Sequence, residues 1–161
     1  MFGLQIRYLS FFFGIISILS FFNIIYSYYL NLYLNLDTYY LTLFVSIIIS
    51  VILYKIKFKE IKQSIFDKIL TVFFGYIFIP IILAIPFYLS IYNLTFVDSF
   101  FEAISGFTST GFTIFENIKH VDQSLILWRS STQWVGGLYF LFSIIFLIDI
   151  YDENFKKTLT D

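Results

Sequence analysis

Of 161 residues, 59% are apolar, 24% aromatic and only 13% charged. Soluble domains carry about a quarter charged residues, so this composition excludes an ordinary water-soluble globule and selects an integral membrane protein. A net charge of −1 argues against a nucleic-acid partner, and the absence of cysteine removes disulfides, thiolate chemistry and cysteine metal sites.

A bilayer core of about 30 Å takes roughly 20 apolar residues per helical span. The first such run is Tyr8 to Leu30. Arg7 precedes it in the manner of a secretory signal, but the apolar stretch lasts to Leu34 with no small-residue cleavage site after it. A signal core spans only about 7–15 residues, so a retained transmembrane helix is expected. The polar link NLYLNLDT leads to a second span, Tyr39 to Ile56, and then to the basic stretch KIKFKEIKQSIFDK with Lys55, Lys57, Lys59, Lys62 and Lys68. The third span covers Ile69 to Tyr92, and Pro80 and Pro86 predict a bend in it, because proline frees carbonyls that neighbouring helices must satisfy. The fourth span is Leu125 to Ile150, followed by a cytoplasmic tail, 151–161, in which Asp149, Asp152, Glu153, Lys156 and Lys157 give a solvated charged end.

Lysine and arginine accumulate on the cytoplasmic side of a membrane. With the N-terminus inside, Arg7, the five lysines above, Lys156 and Lys157 are cytoplasmic, and only Lys119 and Arg129 lie outside. Both termini are therefore expected in the cytoplasm.

Between the third and fourth spans lies Asn93 to Ser124, too polar to cross. Thr95 followed by Asp98 opens a capped helix, and Phe96, Val97, Phe100, Phe101, Ile104 and Phe107 recur at helical spacing. About twelve residues give ~18 Å, a half-membrane helix. Gly106 is read as its end, and the run Thr108, Ser109, Thr110, Gly111 with Thr113 follows. Such a run is common in ordinary surface loops. Placed after a capped half-helix and between two spans it suits a backbone-lined ion site, because irregular backbone at membrane depth must be buried or line a water-filled path. Carbonyls and hydroxyls replace a cation's water, Gly111 can adopt positive φ, and the helix's carbonyl end favours positive charge.

Glu102, inside the half-helix, either holds the loop's backbone from behind or binds an ion directly. Trp128 and Arg129 are expected to anchor the outer interface, Arg129 with Glu116 or Asp122 as partners. Gly136 and Gly137 are expected to allow tight helix packing. His120 lies in a loop without metal-spaced partners, and no nucleophile–base pair or phosphate-cradling loop suggests an enzyme.

The segments AIPFYLS, VDSFFEAISGFTSTGFTIF and LILWRSSTQWVGGLYF, within 79–148, resemble the first pore repeat of the Trk/Ktr/HKT superfamily of potassium transporters, of TrkH/KtrB type. The resemblance implies an all-α membrane protein: an N-terminal helix pair with its basic linker (1–68), then one helix–pore loop–helix unit (69–150). It implies potassium as substrate, no cofactor, and a selectivity filter at Thr108, Ser109, Thr110 and Gly111, supported by Glu102, Gly106 and Thr113. Four such units surround one path. This chain supplies a quarter of a pore in the bacterial cytoplasmic membrane, as part of a longer or truncated transporter, by self-association, or beside a full-length relative that it serves as a non-conducting accessory. A cytoplasmic nucleotide-binding regulator of TrkA/KtrA type is the implied partner. Tyr139 departs from the family's G-G-L-G pattern, which would place a glycine there after Gly136, Gly137 and Leu138.

Overall fold

In hydrocarbon every backbone N–H and C=O must be paired within the protein, which drives each apolar run into helix. The computed structural model describes the backbone of residues 6–56 and 65–158 and the side chains of 7–56 and 66–147. Its elements are α1 (Ile6–Tyr29), α2 (Leu36–Lys55), α3 (Ile65–Leu83), α4 (Ile85–Tyr88), α5 (Phe96–Phe107), a short 3-10 turn (Ile118–His120) and α6 (Gln123–Thr158). Arg7–Tyr29, Leu36–Lys55, Phe66–Tyr88 and Gln123–Leu147 are each long and apolar enough to cross a membrane. The chain is an all-α, multi-pass membrane protein.

α1 ends where Asn31 turns left-handed at φ 58°. The Asn31 and Leu32 amides then close onto the carbonyls of Tyr28 and Ser27, at 3.3 and 2.8 Å. α2 returns antiparallel. The Ser10 hydroxyl donates to the Ser50 carbonyl at 2.8 Å, and the Ser50 hydroxyl donates back to the Ser10 carbonyl at 2.9 Å. Further along, the Ser20 hydroxyl donates to the Tyr39 carbonyl at 2.6 Å. Thr38, Thr42 and Ser46 are buried, whereas Phe44, Ile48 and Ile52 are exposed. Lipid is as apolar as leucine, so small polar residues form the seam and large aliphatics face out.

α3 stops at Leu83, and Pro86 enters at the start of α4. With no N–H to return to Ile82, Pro86 interrupts the ladder. The Trp128 indole of α6 donates to the Leu83 carbonyl at this break, at 3.0 Å. Trp128 is fully buried, so it is a core strut and not the interface anchor expected of it.

Tyr139 joins four helices. Its ring lies 4.8 Å from Phe12 of α1, 5.0 Å from Tyr76 of α3 and 5.3 Å from Phe107 of α5. Its hydroxyl donates to the Val72 carbonyl at 2.9 Å. The room comes from Gly75, where a Cβ would lie 1.8 Å from the tyrosine oxygen. Close approach survives the departure from the family pattern because the glycine stands on the opposite helix.

Three boundaries differ from expectation. The third span begins earlier, with Asp67 in the first turn of α3. That span closes at Tyr88, before Asn93 turns left-handed. Helix α6 runs on to Thr158, so the backbone of 151–158 is helical and continuous with the fourth span. Lys57, Lys59 and Lys62, and the side chains of Asp149, Asp152, Glu153, Lys156 and Lys157, lie outside the described residues.

Candidate ion-binding loop

Thr95 caps α5. Its hydroxyl oxygen accepts from the Asp98 amide at 3.2 Å and donates to the Asp98 carboxylate at 2.6 Å. The helix buries its small and polar face, Ser99, Glu102, Ala103, Ser105 and Gly106, while Phe96, Val97 and Phe101 stand outside. Two glycines bring it against α6. A Cβ at Gly106 would lie 2.1 Å from the Thr132 hydroxyl oxygen, and one at Gly136 would lie 1.7 Å from the Phe107 carbonyl oxygen. Gly137 meets nothing within 4 Å, so the packing expected of the pair falls to Gly136 alone.

Gly106 does not end α5; it sits inside the last turn as a contact residue. The helix ends at Phe107 with Thr108 as its cap, and Ser109 beyond it turns left-handed at φ 57°. The Ser109 amide returns to the Gly106 carbonyl at 2.9 Å and the Thr110 amide to the Ser105 carbonyl at 3.1 Å, the paired bonds of a left-handed helix cap. Gly111 follows at φ 79° with open space around it, so conformation and not crowding calls for glycine there.

The returning strand of the loop is gripped from behind. One oxygen of the fully buried Glu102 carboxylate accepts from the Thr113 hydroxyl and the Ile114 amide, both at 2.5 Å. Its other oxygen accepts from Arg129 Nε at 3.0 Å. Arg129 Nη2 donates onward to the carbonyls of Gly111 and Phe112, each at 3.1 Å. The Ser105 hydroxyl adds a bond of 2.7 Å to the Phe112 carbonyl. Arg129 thus pairs with Glu102, not with Glu116 or Asp122. Asp122 instead accepts from the Asn35 amide nitrogen at 2.9 Å and the Ser124 hydroxyl at 2.5 Å.

Thr108, Ser109, Thr110 and Gly111 come together on one exposed turn. The Thr108 hydroxyl donates to the Ile104 carbonyl at 2.7 Å, and the Thr110 hydroxyl lies 3.2 Å from the Ser105 carbonyl. Among the described residues no donor reaches the carbonyls of Thr108, Ser109 or Thr110. The Gly111 carbonyl, by contrast, is held by Arg129. His120 is exposed in the 3-10 turn.

Arg129 is the functional candidate whose partner, Glu102, differs from the expected Glu116 and Asp122. A signal was present: Arg129, Thr132 and Gly136 share one face of α6 at i, i+3 and i+7, the face that meets α5.

No family model and no solved structure significantly matches the chain. Curated relatives do. An uncharacterised cation transporter of Methanocaldococcus jannaschii is 44% identical over 55 residues, 34% of this chain and 12% of its own length. The Trk system potassium uptake protein TrkG of Escherichia coli is 33% identical over 73 residues, 45% of this chain and 15% of its own. TrkI of Halomonas elongata is 35% identical over 60 residues, 37% of this chain and 11% of its own. The chain thus matches only a small part of each relative, and these relatives are transporters and not enzymes. Over that part of its length, this chain is a homologue of the Trk potassium uptake proteins.

Proposed function

We propose that this chain is a subunit for potassium transport across the cytoplasmic membrane, its α5–loop–α6 unit forming one of four walls of a filter-lined pore. The observation carrying this reading is the division of the loop's carbonyls. Those of Thr108, Ser109 and Thr110 point no electrons at internal donors, while those of Gly111 and Phe112 are tied back by Arg129. A cation shedding water takes oxygen ligands from several sides, and three successive carbonyls are one side's share. The potassium uptake for which the Trk relatives are named favours potassium as that cation. Glu102, Gly106 and Thr113 support the turn, and Gly136 packs the support against it.

The remaining walls come from further pore units, whether in a longer polypeptide of which this chain is part, in copies of this chain or in a full-length relative. The charge distribution favours both termini in the cytoplasm, where a nucleotide-binding regulator would engage them. A second reading, a non-conducting subunit packed against a full-length transporter, draws on the apolar outer surface: Val97 is 73% exposed, Phe112 68% and Trp134 58%.

Rubidium or potassium uptake in cells stripped of their own uptake systems tests the first reading. Uptake is expected with the wild-type chain and lost in Gly111→Arg at equal expression; uptake surviving in that variant removes the loop from the path. Uptake seen only on co-expression with a full-length Trk-type transporter, the detergent-solubilised chain being monomeric, would establish the second.

A further inference from the structure

The guanidinium of Arg129 faces three oxygens. Its Nε donates to Glu102 Oε2 at 3.0 Å, and its Nη2 donates to the Gly111 and Phe112 carbonyls, each at 3.1 Å. The carboxylate comes from α5, the carbonyls from the loop and the positive charge from α6. Bonds that do not involve Arg129 also fix these acceptors. The second Glu102 oxygen accepts from the Thr113 hydroxyl and the Ile114 amide, and the Ser105 hydroxyl donates to the Phe112 carbonyl at 2.7 Å. Gly111 and Phe112 are exposed, so the three oxygens adjoin open space.

One carboxylate and two backbone carbonyls, with neither nitrogen nor sulfur among them, are the ligand types of a hard divalent cation such as calcium. We infer that Glu102 Oε2 and the Gly111 and Phe112 carbonyls form a divalent-cation site that the Arg129 side chain occupies from within the chain. The tethered cation cancels the carboxylate's charge and engages both carbonyls. A mobile ion at the loop then meets only the uncharged carbonyls of Thr108, Ser109 and Thr110. A monovalent cation can exchange its water for such oxygens, whereas a divalent cation, which recruits carboxylates, is left without one. Arg129 thereby sets monovalent over divalent specificity. That consequence rests on the loop being the ion path proposed above; the cation site itself does not.

The site is tested by removing its occupant. The purified full chain is melted in detergent in calcium chloride and in choline chloride of equal ionic strength. The wild type should melt alike in both. Arg129→Ala should melt lower in choline chloride and recover with calcium, half-saturating at about 0.1–1 mM, the range of weak calcium sites. At ten times that concentration its Tm should rise by about 3–6 °C. Glu102→Gln added to Arg129→Ala should erase the response. An Arg129→Ala chain that folds only when calcium is present supports the site equally. Melting of Arg129→Ala unmoved by calcium, failure to fold in either salt, a response that persists without Glu102, or an equal response in the wild type overturns it. The specificity is read separately, as rubidium uptake by the wild type, which millimolar calcium should leave unchanged. Inhibition there overturns the exclusion of divalent cations. Absence of any uptake counts against the transport reading, and the melting curves decide the cation site by themselves.

Discussion

Glu102 of α5 and Arg129 of α6 meet at 3.0 Å, and between them they hold both sides of the loop that separates their helices. The carboxylate is fully buried, and the guanidinium side chain is 17% exposed. A charge in that position is tolerable because all its acceptor capacity is directed at fixed donors: a hydroxyl, an amide and a guanidinium. Removing one member of a buried pair leaves the other uncompensated, a loss of about 3–5 kcal/mol.

Arg129→Gln and Glu102→Gln should therefore each lower thermal stability in detergent strongly and abolish uptake. Arg129→Lys should recover part of the stability, since a lysine still neutralises Glu102, yet it cannot also span the Gly111 and Phe112 carbonyls. Uptake should remain low in that variant. Full uptake with lysine would show that charge alone suffices and that the two carbonyl bonds are dispensable.

The glycines of α6 give a sharper contrast. A methyl at Gly136 has no place to go, because the atom it meets is the Phe107 carbonyl, which is backbone. Gly137 faces open space. Gly136→Ala is expected to displace α5 and lose folded yield and uptake, and Gly137→Ala to be silent, read by size-exclusion profile and transport in parallel. Equal damage from both would mean that α6 is rotated from the placement described.

Much of this architecture was legible in the sequence, because length and apolarity fix spans. The Thr95–Asp98 cap, the half-helix length and the positive φ of Gly111 also follow from local chemistry that a short window displays. What escaped was rotational phase. In a soluble helix the large apolar stripe marks the interior, but α5 turns Phe96, Val97 and Phe101 outward and buries Ser99, Glu102 and Ser105. Membrane burial follows small size and polarity, so the side of α6 bearing Trp128 and Arg129 looked like an interface when it faces the core. The Glu102–Arg129 pair spans 27 residues and two helices, beyond any periodicity. Glycine commonly caps helices, which points to Gly106 as the end of α5; here a serine takes the left-handed turn and the glycine makes the contact.

That serine supplies its own test. A non-glycine residue in the left-handed region is disfavoured by about 1–2 kcal/mol. Ser109→Gly should keep the fold and uptake, because the proposed ligand is a carbonyl and the conformation becomes easier. Ser109→Val, β-branched and unable to hold φ 57°, should lose uptake. If Ser109→Gly abolished uptake with stability unchanged, the hydroxyl itself would take part in ion binding.

Asn35 carries the last prediction. Buried at the start of α2, its side-chain oxygen accepts from the Ile91 amide at 3.1 Å, and its nitrogen donates to Asp122 at 2.9 Å. Ile91 precedes the half-helix and Asp122 opens α6, so one side chain of the N-terminal hairpin fixes both ends of the loop-bearing segment. Asp122 is linked onward through Ser124 to the Tyr39 hydroxyl, at 2.5 and 2.9 Å. Asn35→Leu preserves volume and removes both bonds, leaving the part-buried Ile91 amide without its acceptor and the Asp122 carboxylate with the Ser124 hydroxyl but not Asn35, each lost bond costing about 0.5–1.5 kcal/mol. Asn35→Asp keeps the acceptor for Ile91 but sets a second carboxylate against Asp122. Hydrogen exchange should quicken at the amides of Ile91 and Asp122 in both variants, with Asn35→Asp partly rescued at low pH as a carboxyl regains a proton to donate. Exchange at those amides no faster than in the wild type would show that the hairpin and the loop segment are held together by packing and not by this side chain.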